Sequence, residues 1–131
     1  MEKFLAPWRP QLLSIFRIVA GLLLTAHGTV KILGYPAHAM NNAVLASPTG
    51  VSGIIELIFG PLLVIGLFTR LSAFMLSGLS AAAYFYVYAA KSFHPIVNGG
   101  EAAAFYAFAF LYLAAAGGGP WSLDAAIRKN P

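Results

Sequence analysis

The sequence predicts an all-α integral membrane protein, a four-helix bundle with both termini on the cytoplasmic side. Three observations carry that expectation. Only 9% of the 131 residues are charged and 60% are hydrophobic, whereas a soluble domain carries about 25% charged residues. With a mean hydropathy of +0.78, too few polar groups remain to coat a water-exposed surface of this mass. The apolar residues also fall into four runs, and 60% of 131 residues, about 79, is close to the roughly 80 that four spans of about 20 residues need. Finally, Lys and Arg are distributed unequally between the ends of those runs. The composition excludes a water-soluble enzyme, a disordered tail and a nucleic-acid binder, because the eight basic residues lie scattered and form no patch.

The whole chain, residues 1–131, reads as one membrane domain with spans at about 11–33, 51–68, 71–90 and 101–117. The first run holds Arg17, His27 and Lys31 yet is long enough to cross a bilayer. Lys3 and Arg9 before it would also suit a signal peptide, but its length and Arg17 argue against cleavage. A breaker-rich loop follows, from Gly34 to Gly50, with Pro36, Asn41, Asn42, Ser47 and Pro48. The second run carries Glu56 and Gly60-Pro61, where the proline ring removes a backbone donor and is expected to kink the helix. The third is the purest span and ends among Tyr84, Tyr86 and Tyr88. A short connector then leads to Glu101, which opens the fourth run, and Gly117-Gly118-Gly119-Pro120 ends it before a polar tail. The Ala/Gly/Leu-rich runs favour helices over a transmembrane barrel, which needs short alternating segments.

Cytoplasmic loops carry the excess of Lys and Arg. With both termini inside, that side holds Lys3, Arg9, Arg17, Arg70, Arg128 and Lys129, against Lys31 and Lys91 outside. A charge at the bilayer centre costs about 2.5–3.5 kcal/mol on insertion scales, so such residues face the bundle interior and pair. At about 100° per residue, and with Arg17 as zero, Gly28 falls near +20°, Gly21 near +40°, Ser14 near +60°, Thr25 near +80°, Lys31 near −40° and His27 near −80°. That half of the first helix should face protein, with Gly21 and Gly28 admitting a neighbouring backbone.

The topology sorts the charges into two layers. The outer layer gathers His27, Lys31, Glu56 and Glu101 from three helices, with Tyr84, Tyr88, His94 and Asn98 at the same level. The inner layer holds Arg17, Arg70 and Asp124, expected to form structural ion pairs. Taken singly, each outer residue has a plain structural explanation: Lys31 snorkelling, Glu101 favouring a helix N-terminus, His27 a polar interface residue, the tyrosines an aromatic belt. Glu56 is harder to explain in that way. It lies inside a span with Gly53 and Gly60 on its own face, and needs a partner or a proton. Glu56 and His27 are therefore the candidate catalytic proton carriers, and Lys31, Glu101, Tyr84 and Asn98 the candidate binding residues. No metal site is expected. With no cysteine, the chain offers no thiolate metal site, Fe-S cluster or covalent haem, so electrons would come from a bound cofactor or a partner.

The succession Arg17-Ile18 with Gly21, His27-Gly28 with Lys31, Glu56 with Gly60, Gly66-Leu67 with Thr69-Arg70, Pro95 with Asn98-Gly99-Gly100-Glu101, and Ser122-Leu123-Asp124 resembles the DoxX family of small four-helix membrane proteins. The resemblance runs from about residue 12 to 125. It implies a multi-pass protein of the inner (plasma) membrane and a subunit of a quinone-linked oxidoreductase system, with a membrane quinone and a redox partner protein; it assigns no catalytic residue. Two other functions are weighed against this. One is a non-enzymatic scaffold or assembly factor whose charged layers lock the helices. The other is a small-molecule or proton carrier, for which four short spans suffice only in a homo-oligomer.

Overall fold

The computed structural model describes residues 2–38, 41 and 43–128. Asn42 and Lys129, used above for the loop and the charge count, and the side chain of Arg128 lie outside what is described. Four long helices form the body: α1 Arg9–Gly28, α2 Pro48–Ile65, α3 Thr69–Ala83 and α4 Glu101–Ala116, followed by a short α5 Leu123–Arg128. Wider π-helical turns, Thr29–Leu33 and Tyr84–Tyr88, extend α1 and α3 at their distal ends.

Local chemistry sets the boundaries. α2 starts at Pro48, three residues before the expected Val51, because Ser47 caps it: the Ser47 hydroxyl accepts from the Gly50 N–H at 3.1 Å, and proline suits the first turn. It runs through Pro61 and ends at Gly66, whose φ of 76° is the left-handed conformation that closes a helix. Only two residues, Leu67 and Phe68, separate Gly66 from the first residue of α3.

Three stretches, Glu2–Leu33, Pro48–Ile65 and Thr69–Tyr88, are long and apolar enough to cross a membrane. α4 is apolar but has 16 residues, about 24 Å of helix against a hydrocarbon core of about 30 Å. α1 packs on α2, α3 on α4, and α2 on α3, while α1 and α4 share little close backbone packing. Leu63, Leu76, Phe110 and Leu113 fill the centre and are fully buried.

α1 and α2 meet with their backbones in contact. Gly21 lies opposite Gly60 and Gly28 opposite Gly53; a Cβ on Gly21 or on Gly28 would sit 3.1 Å from the facing glycine's carbonyl oxygen. Two glycines seven residues apart on each antiparallel helix thus form one seam. Ser14, Arg17, Gly21, Gly28 and Lys31 are all buried, as their common face on α1 requires, while His27 at the edge of that face is exposed.

Candidate functional site

The inner layer is built from helix ends. α2 and α4 present their C-terminal carbonyls there, and such carbonyls carry partial negative charge without an intrahelical partner. Arg17, 1% exposed, donates to the carbonyls of Gly118 (2.5 Å), Trp121 (2.9 Å) and Val64 (3.3 Å). Arg70 donates to the carbonyls of Ala114 and Ala115 at the end of α4. Asp124 does the converse for α3: its carboxylate accepts from the N–H groups of Phe68 (2.9 Å) and Thr69 (2.8 Å), where Phe68 turns at a φ of 50°. The expected Arg17–Asp124 ion pair is therefore corrected. Three carbonyls take the hydrogen bonds of the two terminal nitrogens of Arg17, and the Asp124 charge acts on the guanidinium only at longer range.

The outer residues do not form one cluster. Lys31 donates to Glu56 Oε1 at 3.0 Å and to the Ser52 hydroxyl at 2.9 Å. Both charged side chains are nearly buried, and the pair lies beside the glycine seam, eight residues or about 12 Å into α2. Glu56 thus has its partner, and Ser52, absent from the sequence reading, completes the site. His27 points elsewhere, meeting the Tyr106 ring edge-on with centroids 6.3 Å apart. The polar half of α1 spans about 160° of the helix, wide enough to face two neighbours, α2 over the seam and α4 at the His27 edge.

Tyr84 and Asn98 hold the α3–α4 connection. Asn98 donates to the Tyr84 hydroxyl (3.2 Å) and the Ser92 carbonyl (3.1 Å), and its side-chain oxygen accepts from the Gly100 N–H at 2.7 Å. Gly100 lies so near the Tyr84 and Tyr88 rings that a Cβ would sit 2.8 Å or less from ring or Cβ atoms. Glu101, exposed, opens α4 above them.

Because α1 and α4 share little close backbone packing, a cleft of about 540 Å³ opens between them. Its walls are apolar, with Val19 and Leu23 from α1 and Phe105 and Ala109 from α4. Glu101 and Tyr106 line it toward the outer end, where His27 meets Tyr106; Tyr106 in turn stacks on buried Phe110 at 5.8 Å. A further hollow of about 550 Å³ shares Phe16, Glu101, Phe105 and Ala109 and continues past Phe108 and Tyr112. Neither includes Glu56, Lys31 or Tyr84. A long apolar trough with polar groups at one end suits an amphiphile with a flat head and a hydrocarbon tail. Tyr106 had no individual signal in the sequence, since α4 is apolar all round. Among the described residues no cluster of His, Asp or Glu is arranged to hold a metal ion.

Apolar helices of bilayer length, charges satisfied inside the bundle and an outward face of Leu, Val and Phe define a helical membrane protein. The chain belongs to the DoxX family, whose model matches residues 12–89. The match covers α1 to α3 and stops short of the expected residue 125, before α4. Over 131 aligned residues the chain is 42% identical to a protein of Haemophilus influenzae (strain Rd) described as an uncharacterized protein, covering 96% of this chain and 98% of that one. No solved structure matches.

Proposed function

We propose that this DoxX-family protein is the inner-membrane subunit of a quinone-linked redox system, with four spans and both termini in the cytoplasm. The α1/α4 cleft takes the quinone. The observation that carries this reading is the cleft itself: its lining is apolar except for Glu101 and the Tyr106 hydroxyl, with His27 in contact with the Tyr106 ring. The isoprenoid tail lies against Val19, Leu23 and Ala109, and the ring lies beside Tyr106. Reduction of a quinone to a quinol takes two electrons and two protons. In this reading Glu101, in the cleft lining, delivers one proton to the ring oxygens and His27, beside Tyr106, the other. A cysteine-free chain has no thiol route for electrons, so these arrive from a partner protein carrying a flavin or comparable centre. Glu56, with Lys31, acts as the lock that holds α1 on α2, and its catalytic role passes to Glu101.

Ala109→Trp fills the cleft without touching the charged layers. Quinone recovered with the protein from mild detergent should fall about tenfold, the change that roughly 1.4 kcal/mol of lost binding produces. Equal quinone in wild type and variant, or none in either, would refute the reading. The scaffold reading draws on a different observation, the Lys31–Glu56 pair closed on itself. Under it, Glu56→Gln lowers stability and recovery of the partner complex together, while Ala109→Trp leaves electron transfer intact.

A further inference from the structure

The centre of the bundle is filled by Leu24, Leu63, Leu76, Phe110 and Leu113 over much of its length, but at the inner end it changes character. There the interior residues are Ser14, Arg17, Thr69 and Ser72, each 0–1% exposed. Four side-chain polar atoms among the described residues are buried without a hydrogen-bond partner, and three of them, Arg17 Nε, Thr69 Oγ1 and Ser72 Oγ, belong to this level. Arg17 and Thr69 flank the same glycine: a Cβ on Gly118 would lie 3.2 Å from Arg17 Nη1 and 2.8 Å from Thr69 Oγ1. Ser72 stands one helical turn beyond Thr69 on the same face of α3. No direct hydrogen bond among the described residues joins α1 to α3.

Unsatisfied polar groups are costly inside a protein and costlier within a bilayer, and a water molecule is the usual partner when short hydroxyl side chains leave room for one. We propose that the inner end of the bundle binds a water molecule between Arg17 Nε, Thr69 Oγ1 and Ser72 Oγ, and that this water ties α1 to α3. The bonding capacities match. The Nε–H can only donate, so the water accepts from Arg17 and directs its two protons to the hydroxyl oxygens. A halide would find three donors in the same place, but Asp124 of α5, which caps the adjoining N-terminus of α3, already opposes the arginine charge, and a neutral ligand fits better. This site is independent of the quinone reading, because it lies on the far side of the core from Glu101 and His27.

Two measurements on the full-length protein in detergent test it. Ser72→Ala separates the cases by sign. If the hydroxyl is a true orphan, its removal, together with the better helix propensity of alanine, raises Tm; if it holds a shared water, Tm falls by several degrees. A density map from crystals grown in bromide identifies the occupant. A peak at hydrogen-bond distance from the three atoms without anomalous signal supports the proposal. An anomalous bromide peak, an empty centre, or a rise in Tm for Ser72→Ala overturns it.

Discussion

Lys31 and Glu56 are each tolerable inside the bundle only because of the other. Their charges are 3.0 Å apart and nearly buried, and the Ser52 hydroxyl accepts a further hydrogen bond from the lysine ammonium. Removing one partner of a buried pair strands the other at about 3–5 kcal/mol, whereas replacing both with apolar side chains is often neutral. Lys31→Met should therefore destabilise strongly, and adding Glu56→Leu should restore most of the loss, as read from thermal unfolding in detergent. Additive losses in the double variant would show that the two residues act separately. The sequence marked Arg17, Lys31 and Glu56 as interior, since a charge inside an apolar run has few places to go. It could not supply every partner. The terminal nitrogens of Arg17 donate to the carbonyls of Gly118, Trp121 and Val64, and every residue has a carbonyl, so no pattern in the chain distinguishes these three.

The helices meet according to where small residues lie. Lipid tails are as apolar as leucine, so hydrophobicity alone gives α1 and α2 no reason to pair. Gly21, Gly28, Gly53 and Gly60 do, by letting the two backbones touch. Gly28→Val places carbon against the Leu57 N–H and the Gly53 carbonyl and should cost about 1–3 kcal/mol, the usual penalty for overpacking. Gly78→Ala is the control, because a Cβ there meets nothing within 4 Å. It should leave stability unchanged or raise it by about 0.5–1 kcal/mol. Unfolding of both variants in one detergent compares them; equal losses would mean that the seam is not what holds the pair. The seam was legible because Gly21 and Gly28 share the Arg17 face of α1. The cleft was not, because α4 is apolar on every side, and a helix without a polar face carries no signal of which neighbour it avoids. For the same reason the outer residues were expected in one pocket, whereas the bundle divides them among the α1/α2 seam, the α1/α4 cleft and the α3–α4 connection.

On the scale of the molecule, one arrangement of chain in bilayer joins the two charged layers. In the proposed arrangement, with four spans and both termini inside, the helix C-termini capped by Arg17 and Arg70 would face the cytoplasm, and Lys31, Glu56 and the mouth of the cleft the other side. α4 is about 24 Å long, and its crossing decides on which side α5 emerges. The chain contains no cysteine, so a single introduced thiol reports its own location without background. The direct measurement is labelling of Ser92→Cys and Ala126→Cys in intact cells with a membrane-impermeant maleimide. The account predicts that Ser92→Cys is labelled from outside and Ala126→Cys only after permeabilisation. Labelling of Ala126→Cys in intact cells would contradict it, placing the two ends of α4 on the same side of the membrane or inverting the bundle.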